Sequence, residues 1–111
     1  HKYLELAREV LEGAGYDVET ADTWLGAIRV LPTQPDLALV DLHMASMQGD
    51  KLSQILKKNH PSMKVCLVSS DDVSVIKGLS EKLKLDGYIS KSFPPTTALR
   101  RVARVLEGKK D

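Results

Sequence analysis

Residues 37–41 read Leu-Ala-Leu-Val-Asp, an apolar run without polar alternation that ends in a carboxylate. A second run of the same kind, Val-Cys-Leu-Val-Ser, occupies residues 65–69. Short continuous apolar runs bounded by polar residues are typical of parallel strands that helices cover on both faces. These two runs therefore predict the centre of a parallel sheet.

Segments of strand type and helix type alternate on either side of these runs. Two further short strands are predicted over residues 16–21 and 87–89. Apolar residues spaced three and four positions apart predict a helix in each of five segments, with stripes over residues 3–11, 24–31, 52–56, 73–83 and 99–106. Thr96 or Thr97 is the predicted N-cap of the last helix. The alternation predicts an α/β fold with a doubly wound parallel sheet.

The composition is that of an ordinary globular domain. The chain has 111 residues, of which 42% are hydrophobic and 28% charged, so we expect a single domain over residues 1–111. A formal net charge of +1 indicates no general attraction to nucleic acid or to an anionic membrane. The single cysteine, Cys66, excludes an internal disulfide, and no apolar run approaches the ~20 residues that span a bilayer. We expect a cytoplasmic domain.

Polar residues of complementary chemistry follow three of the predicted strands. Asp41 ends one strand, Ser69 ends the next, and Lys91 follows the last. In a doubly wound sheet, ligands bind and reactions take place at the carboxyl ends of the strands. A carboxylate can attack a phosphoryl group, a lysine can neutralise the phosphoryl oxygens, and a hydroxyl can bond one of them. Together the three residues predict an aspartyl-phosphate site, although each alone would be ordinary turn chemistry.

Three segments of the chain resemble the receiver domains of bacterial two-component response regulators. Residues 36–49 resemble the family's phosphoacceptor strand and loop, and residues 65–69 resemble the strand that ends in its Ser or Thr. Residues 87–93, Gly-Tyr-Ile-Ser-Lys-Ser-Phe, resemble its Gly-Tyr-x-x-Lys-Pro-Phe segment. The resemblance implies a flavodoxin-like sheet with the strand order 2-1-3-4-5 and a function in phosphorelay signalling.

The same resemblance implies a role for each site residue. Asp41 is the phosphoacceptor, and Ser69 and Lys91 hold the phosphoryl group. Tyr88 is the switch residue that rotates inward as Ser69 moves toward the phosphate. Mg²⁺ is the implied cofactor of the intact domain, with Asp41 and the backbone carbonyl of His43 among its ligands. The implied chemistry is self-phosphorylation on Asp41 and no enzymatic turnover.

Receiver domains open with a strand that ends in two acidic magnesium ligands, and by alignment this strand lies upstream of His1. It is the central strand of the family order, between residues 16–21 and 37–41. Residues 1–111 are therefore expected to be an N-terminally incomplete receiver domain. Three explanations are open: the chain continues upstream, a second copy fills the gap, or strand 16–21 pairs directly with strand 37–41.

The implied partners follow from the family. A sensor histidine kinase or a phosphotransfer protein supplies the phosphoryl group. An effector domain or protein docks on the face that Tyr88 shares with the last helix, whose basic residues include Arg100, Arg101 and Arg104. A homodimer is a further option, whereas neither a membrane nor direct nucleic-acid binding by this domain is expected.

Departures from the family pattern support an alternative hypothesis. Ala45, Ser46 and Gln48 stand where the family usually has Pro, Gly and Asp. Ser92 replaces the Pro after the lysine, and we expect this change to direct the Lys91 side chain less reliably toward the phosphate site. The alternative is a pseudo-receiver, a phosphorylation-independent module for protein interaction.

Two further functions are disfavoured by the residues themselves. An aspartyl-phosphate hydrolase needs a second Asp two residues after the nucleophile, and His43 occupies that position. A flavin-binding protein needs a loop rich in Ser, Thr and Gly to hold phosphate, and no such loop follows any predicted strand.

Overall fold

A computed structural model describes residues 2–16, 29, 36–43 and 49–107 of the protein. Helices and strands alternate through these residues in the order α1 (Lys2–Gly13), β1 (Leu37–Asp41), α2 (Gly49–Asn59), β2 (Lys64–Ser69), α3 (Val73–Lys82), β3 (Gly87–Ser90) and α4 (Pro95–Leu106). The predicted strand over residues 16–21 and the predicted helix over residues 24–31 lie outside the described residues, apart from Tyr16 and Arg29. Within the described part, no helix combines the length and the apolar content needed to cross a membrane.

The three described strands form one parallel sheet in the order β1-β2-β3. Cys66 of β2 pairs with Leu39 of β1 on one side and with Gly87 of β3 on the other. The predicted strand over residues 37–41 is confirmed at both ends, and each of the other two is one residue longer than predicted. Because all three strands run in the same direction, their carboxyl ends meet at one edge. The predicted α/β class is confirmed.

Helices cover both faces of this sheet. Neighbouring residues of β2 point to opposite faces, so that Leu67 packs on one side and Val68 on the other. The core on the α2 and α3 face consists of Val40, Leu42, Leu52, Leu56, Met63, Val65, Leu67, Ile76 and Leu85. The core on the α1 and α4 face consists of Leu11, Val68, Ile89, Ala98 and Val102. Burial on both faces explains why residues 65–68 of β2 are all apolar.

A half-buried ion pair ties α2 to the start of β2 and β3. Asp86 accepts hydrogen bonds through Oδ2 from Lys57 Nζ, at 2.7 Å, and from the backbone N–H of Val65, at 2.8 Å. Lys57 Nζ also donates to the carbonyl of Met63, at 3.0 Å. Since Asp86 immediately precedes β3, these bonds help to set the register of β3 against β2, and with it the relative position of the two strand ends.

The C-terminal end of α3 shows how the chain turns from a helix toward the next strand. The C-terminus of α3 is a Schellman motif, in which Leu85 N–H bonds the Ser80 carbonyl at 3.0 Å and Lys84 N–H bonds the Glu81 carbonyl at 3.1 Å. Lys84 adopts the left-handed conformation that this motif requires, with φ 56°. Gly is the residue that usually takes this position, because it has no Cβ to crowd the backbone.

The start of α4 differs from the prediction. Its N-cap is Pro94, and Pro95 opens the helix, so the predicted caps Thr96 and Thr97 are wrong. Proline suits the first helical position because its φ is already helical and its missing N–H has no partner there in any helix. The buried residues of α4 are Ala98, Val102 and Val105. Of the predicted stripe, Val102 is buried and Leu99 and Leu106 pack against the same core, whereas Ala103 is only partly buried.

One residue of the predicted buried stripe of α1 is largely exposed in the structure. Leu6, which the sequence pattern assigned to the buried stripe of the first helix, is 49% exposed. It lies at a cavity of about 180 Å³ that Val10, Leu39, Ile89 and Leu99 also line.

Candidate functional site

Asp41 and Lys91 meet at the carboxyl edge of the sheet. Asp41 ends β1 and is only 4% exposed. Its Oδ1 accepts a hydrogen bond from the backbone N–H of His43 at 3.0 Å, and its Oδ2 accepts one from Lys91 Nζ at 2.8 Å. A buried carboxylate is strongly destabilising unless it is paired and hydrogen-bonded, and these two donors meet that requirement. The structure thus brings together two of the three residues of the predicted phosphate site.

The turn after β3 directs Lys91 toward Asp41. The backbone N–H of Lys91 donates to the Ser69 carbonyl at 2.8 Å and so extends the ladder between β2 and β3 beyond the strand. The hydroxyl oxygens of Ser90 and Ser92 lie 2.6 Å apart, and Ser92 N–H donates to Ser90 Oγ at 3.1 Å. With Ser92 in this turn, Lys91 Nζ lies 2.8 Å from Asp41 Oδ2. That Ser92 directs Lys91 less reliably than Pro would stays a prediction.

Ser69 ends β2 beside this pair. The register places Asp41 opposite Val68, so Ser69 is one residue farther along the neighbouring strand. Its side chain is fully buried, and its Oγ accepts a hydrogen bond from the backbone N–H of Asp71 at 3.0 Å. A serine hydroxyl that accepts one hydrogen bond still has a proton to donate. Ser69 therefore has the chemistry to bond a phosphoryl oxygen at this edge.

A pair of exposed side chains connects the residues that follow β1 and β2. His43 Nε2 lies 2.9 Å from Asp71 Oδ2. The hydrogen bond with His43, and secondly the one with Ser69, hold the pKa of Asp71 below its ordinary value. The family resemblance implies a role for His43 only through its backbone carbonyl, and this side-chain contact was not predicted. The available signal was that His43 and Asp71 each follow a strand-end site residue by two positions.

Tyr88 lies in β3 with its ring against a side chain of α4. The guanidinium carbon of Arg101 is 4.2 Å from the centroid of the Tyr88 ring. Arg101 Nε also donates to the Tyr88 carbonyl at 3.0 Å. Tyr88 is paired with Leu67, and in this arrangement its ring contacts α4 through Arg101. Arg101 was predicted to belong to a basic docking face, and its contact with Tyr88 was not predicted.

The oxygen donors at the site are of the class that Mg²⁺ prefers. Among the described residues, the candidates are the carboxylate of Asp41 and the backbone carbonyl of His43. No group of three or more His, Cys, Asp or Glu side chains converges within the described part of the chain. The described residues therefore fit part of a magnesium site, to which water and phosphoryl oxygens usually contribute the other ligands.

Comparisons with known proteins point to one family. The family model for the response regulator receiver domain matches residues 1–103. The transcriptional regulatory protein CssR of Bacillus subtilis is 26% identical over 103 residues, which are 93% of this chain and 46% of CssR. The DNA-binding response regulator MtrA of Mycolicibacterium smegmatis is 32% identical over 111 residues, which are 96% of this chain and 47% of MtrA. The chain spans about half the length of the curated relatives it matches.

Solved structures show the same fold. A CheY-like receiver domain protein from Methanospirillum hungatei superposes with a TM-score of 0.84 at 27% sequence identity, over 96% of this chain and 86% of that one. The response regulator DrrB of Thermotoga maritima superposes with a TM-score of 0.86 over 98% of this chain and 50% of its own. With the family model covering nearly all of its length, the chain belongs to the response regulator receiver domain family.

Proposed function

We propose that this receiver domain accepts a phosphoryl group on Asp41 from a histidine kinase or a phosphotransfer protein. The observation that carries the proposal is the contact between the buried Asp41 carboxylate and the Lys91 ammonium, 2.8 Å apart at the carboxyl edge of the sheet. A carboxylate in this position can act as a nucleophile, while the ammonium offsets the charge of the incoming group. The domain would be a phosphoacceptor and not an enzyme with turnover of its own.

The transfer is a substitution at phosphorus. A carboxylate oxygen of Asp41 forms the new P–O bond as the P–N bond of the donor phosphohistidine breaks. The bonding electrons leave with the imidazole, which takes up a proton from water, and Asp41 becomes an acyl phosphate. The Lys91 ammonium stays at the site and can bond the phosphoryl oxygens once Asp41 has lost its negative charge. Ser69 can donate its hydroxyl proton to another of these oxygens.

Receiver domains generally bind Mg²⁺ at the phosphorylation site, and we propose the same cofactor here. The Asp41 carboxylate and the His43 carbonyl are the described groups that would hold it. When bound, the ion supplies positive charge that stabilises the phosphoryl oxygens during transfer.

The proposed output is a change in the surface formed by Tyr88 and α4. Arg100 and Arg104 are exposed on that helix and give the surface a basic character. CssR is named as a transcriptional regulatory protein, and MtrA as a DNA-binding response regulator. We propose by analogy that phosphorylation of this domain acts on an effector domain or protein, or on a homodimer, through this surface. The proposed location is the cytoplasm, without direct nucleic-acid binding by the domain.

The test uses the protein expressed from its complete gene. The wild type and the Asp41→Asn and Asp36→Asn variants are incubated with acetyl phosphate and Mg²⁺, and the intact mass is measured. Asp36 is an exposed aspartate immediately before β1 and is the matched control. We expect the mass of one phosphoryl group on the wild type and on Asp36→Asn, and none on Asp41→Asn. Equal labelling of all three would overturn the proposal.

The alternative is a pseudo-receiver that binds its partner without phosphorylation. It is supported by Ala45, Ser46 and Gln48, which replace the usual residues of the phosphoacceptor loop and lie outside the described residues. The same experiment decides between the two functions. Absence of labelling in the wild type, with acetyl phosphate and with a kinase, would favour the pseudo-receiver.

A further inference from the structure

Arg101 makes three contacts with aromatic residues at the β3 edge of the described sheet. Its guanidinium carbon lies 4.2 Å from the centroid of the Tyr88 ring and 5.1 Å from that of Phe93. Its Nε donates a hydrogen bond of 3.0 Å to the Tyr88 carbonyl. Arg101 therefore holds both the backbone and the ring of Tyr88.

These contacts use the particular geometry of arginine. A planar guanidinium can stack on an aromatic face while its N–H groups donate within its own plane, whereas a lysine ammonium is a compact point charge without a flat surface. The Nε bond to the Tyr88 carbonyl holds the guanidinium beside the Tyr88 ring, which also packs against the core on the α2 and α3 face. Phe93 contacts the same guanidinium and limits its movement.

We propose that Arg101 is a positioning residue that keeps the ring of Tyr88 against α4 in the unphosphorylated protein. The inference rests on the proposed function, in which the Tyr88 ring turns toward Ser69 when Asp41 is phosphorylated. Tyr88 is opposite Leu67 in the ladder, so Ser69 lies two residues farther along the adjacent strand. To turn toward Ser69, the ring must leave the guanidinium. The contact therefore disfavours rotation of the Tyr88 ring toward Ser69. Phosphorylation of Asp41 must offset the free energy that is lost when the ring leaves the guanidinium.

The size of this bias follows from the type of interaction. The Nε bond to the Tyr88 carbonyl is the same in both ring positions, so the bias comes from the cation–π contact. For a partly desolvated arginine this contact favours one arrangement by a factor of up to about 30. We therefore expect Tyr88 to occupy a single χ1 rotamer in the resting wild type. Without Arg101, a second rotamer should become populated before any phosphorylation.

The test compares Arg101→Ala with Arg100→Ala, which removes the same charge from an exposed neighbour on the same helix. The χ1 rotamer populations of Tyr88 are measured by NMR from three-bond couplings to its Cγ, in the full-length protein without phosphoryl donor. Tyr88→Phe identifies the signals among the three tyrosines of the chain. We expect one rotamer in the wild type and in Arg100→Ala, and a mixture in Arg101→Ala. A single unchanged rotamer in Arg101→Ala would overturn the inference.

A conservative variant separates positioning from a general loss of stability. Arg101→Lys keeps the positive charge and should restore only part of the single-rotamer population, while its melting temperature stays close to that of Arg100→Ala. If Arg101→Ala is too unstable to study, a wild-type rotamer distribution in Arg101→Lys would count against the inference, because the stacked plane and the Nε bond are both lost in that variant.

Addition of acetyl phosphate and Mg²⁺ distinguishes this inference from the proposed function. If Asp41 is phosphorylated, the fraction of Tyr88 in the second rotamer at partial phosphorylation should be higher in Arg101→Ala than in Arg100→Ala. If Asp41 is not phosphorylated in any variant, the proposed function fails, and the resting rotamer populations still decide whether Arg101 positions Tyr88.

Discussion

The Lys91 ammonium lies 2.8 Å from Asp41 Oδ2, although the two residues are 50 positions apart in the chain. Asp41 ends β1 and Lys91 follows β3, so the whole of β2 runs between the strands that carry them. The lysine side chain therefore extends past the end of β2, where Ser69 is buried. The contact exists only when all three strands are in register, and it links phosphate chemistry to the stability of the fold.

Replacement of Lys91 by Met should destabilise the protein because the buried Asp41 carboxylate would lose the Lys91 ammonium. We expect the free energy of unfolding in urea to fall by about 1 to 3 kcal/mol. Addition of Asp41→Asn to the Lys91→Met variant should recover part of this loss, since the negative charge that Lys91 offsets is then absent. Lys77→Met changes an exposed lysine of α3 and should alter stability by less than about 0.5 kcal/mol. Equal losses in both lysine variants would refute a specific role of the pair.

Replacement of His43 by Ala should raise the pKa of Asp71 toward its ordinary value, because the hydrogen bond with His43 is the largest cause of its lowering. A carboxyl group whose folded-state pKa is lowered stabilises the fold above its unfolded pKa of about 3.9, and this stabilisation is lost as the pH falls through the folded value. The wild type should therefore lose the contribution of Asp71 at lower pH than the variant does. NMR titration of the Asp71 carboxyl measures the shift, and His60→Ala should leave it unchanged.

Removal of the Asp86 carboxylate should loosen the junction of α2, β2 and β3. In Asp86→Ala, Lys57 loses its ion pair and the backbone N–H of Val65 loses its acceptor in a buried strand. We expect a loss of about 2 to 4 kcal/mol in the free energy of unfolding. The control is Asp72→Ala, since Asp72 is exposed and forms no side-chain hydrogen bond as N-cap of α3. Its effect should be within about 0.5 kcal/mol, and a comparable loss in both variants would show that the Asp86 bonds contribute little.

Substitution of Lys84 by Gly should stabilise the protein. Lys84 has a φ of 56°, a left-handed conformation that crowds the Cβ of every residue except Gly. We expect the free energy of unfolding to rise by about 0.5 to 1 kcal/mol, measured by urea denaturation. The same substitution at Lys82, in the last turn of α3, should have the opposite sign, because Gly lowers helix stability. A decrease for both variants would contradict the conformational explanation.

The sequence predicted the strands more accurately than the helix ends. β1 has the predicted limits because its apolar run is bounded by Asp36 and Asp41, and strand burial on both faces leaves a continuous apolar signal. The predicted start of α4 was wrong because two threonines are more typical N-cap residues than the prolines before them. Its buried face was predicted in part, with Val102 but without Ala98 and Val105, because the exact direction of a helix face depends on where the helix is docked.

The α/β alternation and the placement of Asp41, Ser69 and Lys91 at the ends of successive strands were predictable from the sequence. Both follow from local properties, namely hydrophobic periodicity and the order of residues along the chain. The side-chain contacts, in contrast, depend on the three-dimensional fold: Lys91 with Asp41, His43 with Asp71, Lys57 with Asp86 and Arg101 with Tyr88. These contacts join residues 13 to 50 positions apart, and their distances depend on strand register and helix docking. Packing of the whole core sets both, and no local pattern encodes them.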